Sequence, residues 1–327
     1  LRSFLVRFAV VFLIFAYSLV VFADYLAPYD PTYQNPAASY AKPSKIHFDL
    51  NGLYVYQQTY YYDSQTFLKK SREITDKKYY VNFFTKDHLF KVAKPAQIYI
   101  LGADQLGRDL FSRIIHGSRP SLTIGFIGLL IAFPIGILYG ALAAYSSKPI
   151  DDLMMRLAEA VMTFPSFYLL IILSAVLPAS LTNIERFALI TVILSLTSWA
   201  GLSRVIRGQV LSIRNNEYIQ AAKLMGISKF KIITRHLVPQ TFSYIIIAAT
   251  LAVPGFIIGE SALSFLGLGI NQPDASWGNI LAEANQLSNI INKPLILFVP
   301  AGLIFLTILS YNTLGDFLRD KFDPASK

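Results

Sequence analysis

From Leu122 to Tyr145 the chain carries no charged side chain. A helix needs about 20 mostly apolar residues to cross a bilayer. Lipid offers backbone N–H and C=O groups no partner, so a lone run of this kind folds as a helix or not at all. Five more stretches read the same way. Phe4 to Ala23 is broken only by Arg7, and Leu157 to Leu177 has Glu159 near its start and Pro165 as a kink. Phe187 to Leu202 follows, then Phe242 to Leu268 interrupted by Glu260, then Pro294 to Leu314. The expected fold class is therefore all-α and transmembrane, with six spanning helices. The first run is too long for a signal peptide, and "ADYLAPYDP" is a poor cleavage site, so a retained anchor over residues 1–24 is expected.

Composition agrees. Hydrophobic residues make up 54% of the chain and charged ones 15%, against about 25% charged in soluble domains; mean hydropathy is +0.47. There is no cysteine, which removes disulfides and thiolate metal sites. His47, His88, His116 and His236 lie far apart, and neither HExxH nor GxxxxGK[ST] occurs. Any ATP hydrolysis is thus expected on another chain, and no cofactor is expected on this one. The net charge of +9 would suggest nucleic acid in a soluble protein; here it fits the basic loops of a membrane protein, and no nucleic-acid partner is expected.

Those cations are unevenly placed. Segment 204–236 holds Arg204, Arg207, Arg214, Lys223, Lys229, Lys231 and Arg235 against Glu217 alone. Loops 178–186 and 269–293 offer only Arg186 and Lys293. With six spans, the Lys/Arg rule puts 204–236 and both termini in the cytoplasm. Residues 25–118 then lie outside; they are lysine-rich, but long translocated domains are exempt from the rule.

That external stretch is too polar for the membrane. "KIHFDLNGLYVYQQTYYY" alternates around Asn51-Gly52, a strong hairpin signal. Lys78 to Phe84 and His88 to Val92 read as further short strands. A small β-rich lobe is expected, either as an insertion without a role or as a surface for a soluble partner. Further on, Leu110, Ile114 and Ile115 share a helical face, with Arg108 and Arg113 elsewhere. That spacing predicts an amphipathic interfacial helix before the second span.

The basic segment has its own punctuation. Asn216 can cap a helix running to about Met225, with Glu217 in its first turn. Gly226 stands where a left-handed residue ends such a helix. Ser228 can cap a second helix carrying Phe230, Ile233 and Leu237 on one side and ended by Pro239. Ala222 and Gly226, four apart, predict a flat face. Such a face packs the loop on its own helices or admits another protein.

"YIQAAKLMGISKFKIITRHLVPQ" resembles the cytoplasmic coupling loop of ABC importer permeases. Ala221, Ala222, Gly226, Ile232 and Pro239 match that pattern; Gln220 takes its acidic position, and Leu-Val-Pro its Leu-Pro ending. "ADYLAPYDPTYQ", "LGADQLGRDLFSRIIHGSR", "GESALSFLGLGINQPDASWGNIL" and "NTLGDFLRDKFDP" resemble the second permease of oligopeptide and dipeptide importers; 41–98 matches poorly. The resemblance implies a type I importer permease domain over 119–316, with coupling loop 204–240 and cytoplasmic tail 317–327. It implies an ATPase-coupling set of Tyr218, Gln220, Ala221, Ala222, Gly226, Leu237 and Pro239. It implies a homologous second permease, two ATPases holding ATP and Mg, an external binding protein, a peptide cargo and membrane lipid as partners. The place would be a bacterial inner membrane. Nickel or a modified peptide is the alternative cargo.

Glu260, inside the fifth run, is costly in a membrane; it either hydrogen-bonds a neighbouring helix or reads a peptide amine. Asn312, Asp316, Arg319 and Asp320 read as a solvated face. Trp199 and Trp277 read as belt residues at span ends, and Phe164 and Tyr168 as core or pathway lining. Two other classes fit less well. An intramembrane enzyme needs convergent nucleophile and base, which the apolar runs do not offer. An ion-coupled transporter needs repeated broken helices, and no repeat is found.

Overall fold

The computed structural model describes residues 2–62, 69–178, 180–285 and 293–322. In chain order the main elements begin with helix α1 (Arg2–Val21) and strands β1 (His47–Asp49), β2 (Gly52–Tyr62), β3 (Lys69–Phe83) and β4 (Phe90–Val92). Helices α2 (Leu110–Tyr145), α3 (Lys148–Thr163), α4 (Ser166–Ala175), α5 (Asn183–Ile213), α6 (Glu217–Leu224) and α7 (Lys229–Ile232) follow. After them come α8 (Phe242–Phe265), α9 (Trp277–Ala282) and α10 (Pro294–Phe322). Two compact units result. The first holds Leu1–Phe12, Thr123–Glu260 and Thr307–Lys327; the second holds Leu13–Leu122 and Ser261–Leu306.

Among the described residues five helices are long and apolar enough to cross a membrane: α1, α2, α5, α8 and α10. The expected third span is two helices, α3 and α4, bent by 78° at their junction, and counts as a sixth crossing only if the pair is one broken span. Pro165 supplies the reason. It lacks an N–H and disfavours helical geometry at the residue before it; Phe164 takes ψ 128° and Pro165 is the N-cap of α4. α5 is longer than expected and starts on a capping box. The Thr182 hydroxyl accepts from the Glu185 N–H, and the Thr182 N–H donates to the Glu185 carboxylate at 2.9 Å. α10 runs without a break past Leu314 to Phe322. The end of the expected tail, 323–327, and residues 286–292 lie outside the described residues.

In the first unit small residues let helices approach closely, the usual device where lipid removes the hydrophobic drive. A Cβ on Gly140 of α2 would sit 2.2 Å from the Ser203 carbonyl oxygen of α5, and one on Gly136 2.8 Å from that of Trp199. Ala144, Ala200 and Ser203 are fully buried. α3 is tied to α5 by Arg207, which donates to both Asp151 oxygens at 2.5 and 2.7 Å, and by Arg204 on Glu159 at 2.9 Å.

The second unit carries an antiparallel sheet in the order β1-β2-β3-β4. The expected hairpin is present one residue out of place. Asp49 pairs with Gly52, so Leu50-Asn51 is the two-residue loop, and Gly52, at φ +120°, begins β2. The expected strand 78–84 is the end of the longer β3, whose register against β2 shifts between Tyr56 and Gln57. Val55, Tyr79, Phe90, Val92, Ala96 and Ile98 form the core of this lobe.

The expected amphipathic helix differs from what is found. There is no separate interfacial helix: α2 begins at Leu110 and continues into the span. Leu110, Ile114 and Ile115 are buried, but so are Arg108 and Arg113. Burying arginine requires carboxylates. Asp104 Oδ2 accepts from Arg108 Nε at 2.6 Å and lies 3.3 Å from Arg113 Nε, while Glu283 Oε1 lies 3.4 and 3.7 Å from the two guanidinium groups. Burial pushes Glu283 up to about 7, aided by the Asp104 charge and opposed by Arg113 and Arg108. Trp277 is also buried, where a belt position was expected. Its indole N–H donates to the Ile114 carbonyl and its backbone N–H to Ser121 Oγ, both at 3.0 Å. Its indole N–H is thereby satisfied inside the protein.

Candidate functional site

The loop from Arg214 to Thr241 is built on the first unit's core. Ile219 and Ala222 of α6 and Ile232, Ile233 and Leu237 of the second helical stretch pack with Ala141 and Ala144 of α2 and Ile206 and Val210 of α5. Arg214 closes the end of α2 by donating from Nη1 to the Ala144 carbonyl at 2.6 Å, which suits both the orphan carbonyl and the negative helix end.

α6 begins after Asn216 as expected, with Glu217 in its first turn, but the Asn216 side chain makes no capping bond. It ends as its sequence dictates. Gly226 takes φ +75°, its N–H donates to the Lys223 carbonyl at 3.0 Å, and the Ile227 N–H donates to that of Ala222 at 3.2 Å. This is the Schellman pair of bonds. The second helix departs from expectation. α7 gives way to a π-helical turn over Ile233–Leu237, in which the Val238 N–H reaches back to Ile233. The i→i+5 repeat brings Ile232 and Leu237 to one side. The buried face is therefore Ile232, Ile233 and Leu237, while Phe230 points out. Pro239 stands exposed in a further helical turn, Val238–Gln240, rather than at the chain's first stop.

The expected site residues divide accordingly. Tyr218, Gln220, Ala221, Gly226 and Pro239 are exposed. Ala222 and Leu237 are buried in the loop's own core, so Ala222 does not share an outward flat face with Gly226. Sequence reasoning missed three outward residues: Leu224 is 89% exposed, Met225 72% and Phe230 62%. They flank the Gly226 turn on a segment with seven cations and one acid in 204–236. The available signal was that apolar side chains on so polar a stretch are out of place in water.

Glu260 is fully buried in α8 and is not without a partner. Asn312, Asp316 and Arg319 are exposed on α10, with Asp320 half-buried. Trp199 is half-buried, its ring 4.7 Å from that of Tyr139. Both line an apolar cavity of about 560 Å³ beside the α3/α4 break, with Phe164 on its wall. Phe164 and Tyr168 are exposed rather than packed in a core. Among the described residues no group of His, Asp and Glu is arranged to hold a metal.

Residues 99–327 match the family described as binding-protein-dependent transport system inner membrane component. Residues 2–43 match the N-terminal TM domain of oligopeptide transport permease C. The sheet, at 47–92, falls between the two matches. The dipeptide transport system permease protein DppC of Bacillus subtilis is 42% identical over 230 residues, 70% of each chain. The oligopeptide transport system permease protein OppC of Haemophilus influenzae is 37% identical over 229 residues, 70% of this chain and 71% of that one. OppC of Bacillus subtilis is 36% identical over 230 residues, 70% and 73%. Apolar spans, a capped basic loop between two of them, and a family match over 99–327 lead to one assignment: the chain belongs to the binding-protein-dependent transport system inner membrane components.

Proposed function

We propose that this chain is one permease subunit of an ATP-driven peptide importer, and that the loop 204–240 is where an ATPase subunit grips it. The carrying observation is the outward cluster of Leu224, Met225 and Phe230 around the Gly226 turn. Apolar side chains on a basic, water-facing loop are best explained by a protein partner. The peptide cargo is supported by the names of the relatives, which are dipeptide and oligopeptide permeases. In this reading the chain supplies half of a pathway completed by a homologous permease. It binds no nucleotide and breaks no bond; ATP and Mg sit on the two ATPases. A binding protein delivers peptide outside, and alternating access follows ATP binding and hydrolysis. Both termini face the cytoplasm of a bacterial inner membrane, and the sheet lobe faces out.

The test is purification of the chain from its native membrane with identification of what accompanies it, followed by ATP hydrolysis in proteoliposomes with binding protein and peptide. Two ATPases, a second permease and peptide-stimulated hydrolysis are expected. Peptide uptake without ATP, or proteolysis by the isolated chain, would put the protein in another class.

A further inference from the structure

The Gly226 turn has a basic hollow beside its apolar tips. A pocket of about 480 Å³ is lined by Arg214, Lys223 and Lys229, with Tyr145, Ile227 and Ile232 completing the wall. In sequence the wall interleaves with the outward side chains. Lys223 precedes Leu224 and Met225, Ile227 follows the turn, and Lys229 precedes Phe230. No carboxylate belongs to the wall, and Glu217, the one acid in 204–236, is not part of it. Asp151, whose field reaches Arg214, is already held through both oxygens by Arg207. Arg214 uses Nη1 on the Ala144 carbonyl and keeps the rest of its planar donor fork. Lys223 has the Gln220 amide oxygen at 3.5 Å and the Tyr145 ring at 5.1 Å. Lys229 makes no ion pair among the described residues.

Three cations around one hollow repel each other, and an anion set among them relieves that repulsion. The occupant follows from position. A protein seated on Leu224, Met225 and Phe230 reaches the wall residues interleaved with them, and Lys223 and Lys229 are exposed to it. Covering those cations with no acid opposite would leave uncompensated charge in the contact, which is costly. We propose that Arg214, Lys223 and Lys229 form a socket for an aspartate or glutamate side chain of the ATPase subunit. The inference rests on the reading of 204–240 as the docking loop and adds the chemistry of the partner's matching group. The apolar tips give area without direction. A carboxylate that must meet a planar guanidinium and two ammonium groups fixes the register in which the partner sits.

The test uses the purified complex of permeases and ATPases. A carbodiimide joins an amine to a carboxylate in direct contact. It is expected to link Lys223 or Lys229 to an acidic residue of the ATPase, located by mass spectrometry of the digest. Links from these lysines only to the permeases, or no links, overturn the socket. Affinity is then read by titrating ATPase onto the permease pair in nanodiscs. Lys223→Gln with Lys229→Gln should bind about ten-fold more weakly at roughly 0.05 M salt, and should lose most of the salt dependence that the unaltered protein shows up to roughly 0.5 M. Lys223→Arg with Lys229→Arg should bind as the unaltered protein does. Arg214 is left in place because it also closes α2. Full binding by the Gln pair, with binding weakened by Leu224→Ser, removes the socket and leaves the docking reading standing. If neither change weakens binding, the docking reading itself fails and the socket falls with it.

Discussion

Replacement of Gly226 separates conformation from contact. At φ +75° the residue sits where L side chains are strained, yet a Cβ built there meets nothing within 4 Å. Any effect of Gly226→Ala is therefore backbone strain and not a clash within this chain. A left-handed non-glycine residue costs about 1–2 kcal/mol, which is a factor of about 5–30 in the ratio of capped to uncapped loop. Gly226→Asn should cost less, because Asn tolerates that region. Gly226→Val should cost more, since a branched side chain fits it worst. The inward residues of α6 and the spans are untouched, so the amount of chain in the membrane should stay normal. ATPase co-purification and peptide-stimulated hydrolysis in proteoliposomes should fall in the order Gly, Asn, Ala, Val. Full coupling in the Val variant would refute the docking role of this turn. An Asn variant as poor as the Val one would show that contact, not backbone geometry, is what matters.

Leu224→Ser and Phe230→Ser should each weaken ATPase binding by about 1.5–3 kcal/mol, if docking buries these side chains fully, while the chain's own melting temperature stays put because both are exposed before docking; a pull-down against purified ATPase checks this. Gly140→Ala should destabilise by about 1–3 kcal/mol, because its Cβ meets the Ser203 backbone at 2.2 Å, whereas Gly201→Ala, with open space, should be neutral or better in the same thermal melt. Glu283 is raised from 4.5 to about 7, so the folded state holds its proton more tightly and its contribution is complete below about pH 4.5 and lost as pH rises through about 7. Glu283→Gln should remove on the order of 3 kcal/mol of that decline, leaving the parallel part from Asp109, which burial also raises to about 7; an unchanged pH profile of melting would refute it.

The spans were legible because lipid leaves the chain so little choice. Runs such as Leu122 to Tyr145 announced themselves by lacking charge. The Gly226 turn was equally legible, since one residue type is needed there. What failed to show was direction. Ala222 and Leu224 are two residues apart on one helix, and no local rule says that Ala222 faces Ile206 and Val210 while Leu224 faces out; that depends on where α2 and α5 end. Arg113 misled for a related reason. An arginine among apolar residues reads as a polar face until its carboxylates, Asp104 nearby and Glu283 far along the chain, are brought to it. The π turn was hidden because Ile232, Ile233 and Leu237 suit both an α and a π repeat. The hairpin was found and misplaced by one residue, since the Asn-Gly pair sits at the junction of turn and strand instead of filling the turn.

The way the loop is fastened bears on what a partner could do by pulling it. Only Arg214, Asn215 and Asn216 separate α5 from α6, and Arg214 is bonded to the end of α2. At the other end the helical turns through Gln240 pass to α8 by Thr241 alone, which is buried and bonds its hydroxyl to the Val238 carbonyl at 2.8 Å. Between these ends the loop's apolar side is packed into the same core as α2 and α5. Close-packed interiors transmit strain and do not absorb it. A displacement applied at Leu224 or Phe230 therefore has no slack linker in which to dissipate, and moves the ends of α5 and α8 with it. In the proposed docking, the outward residues would provide grip and the inward ones would pass it to the helices they pack against.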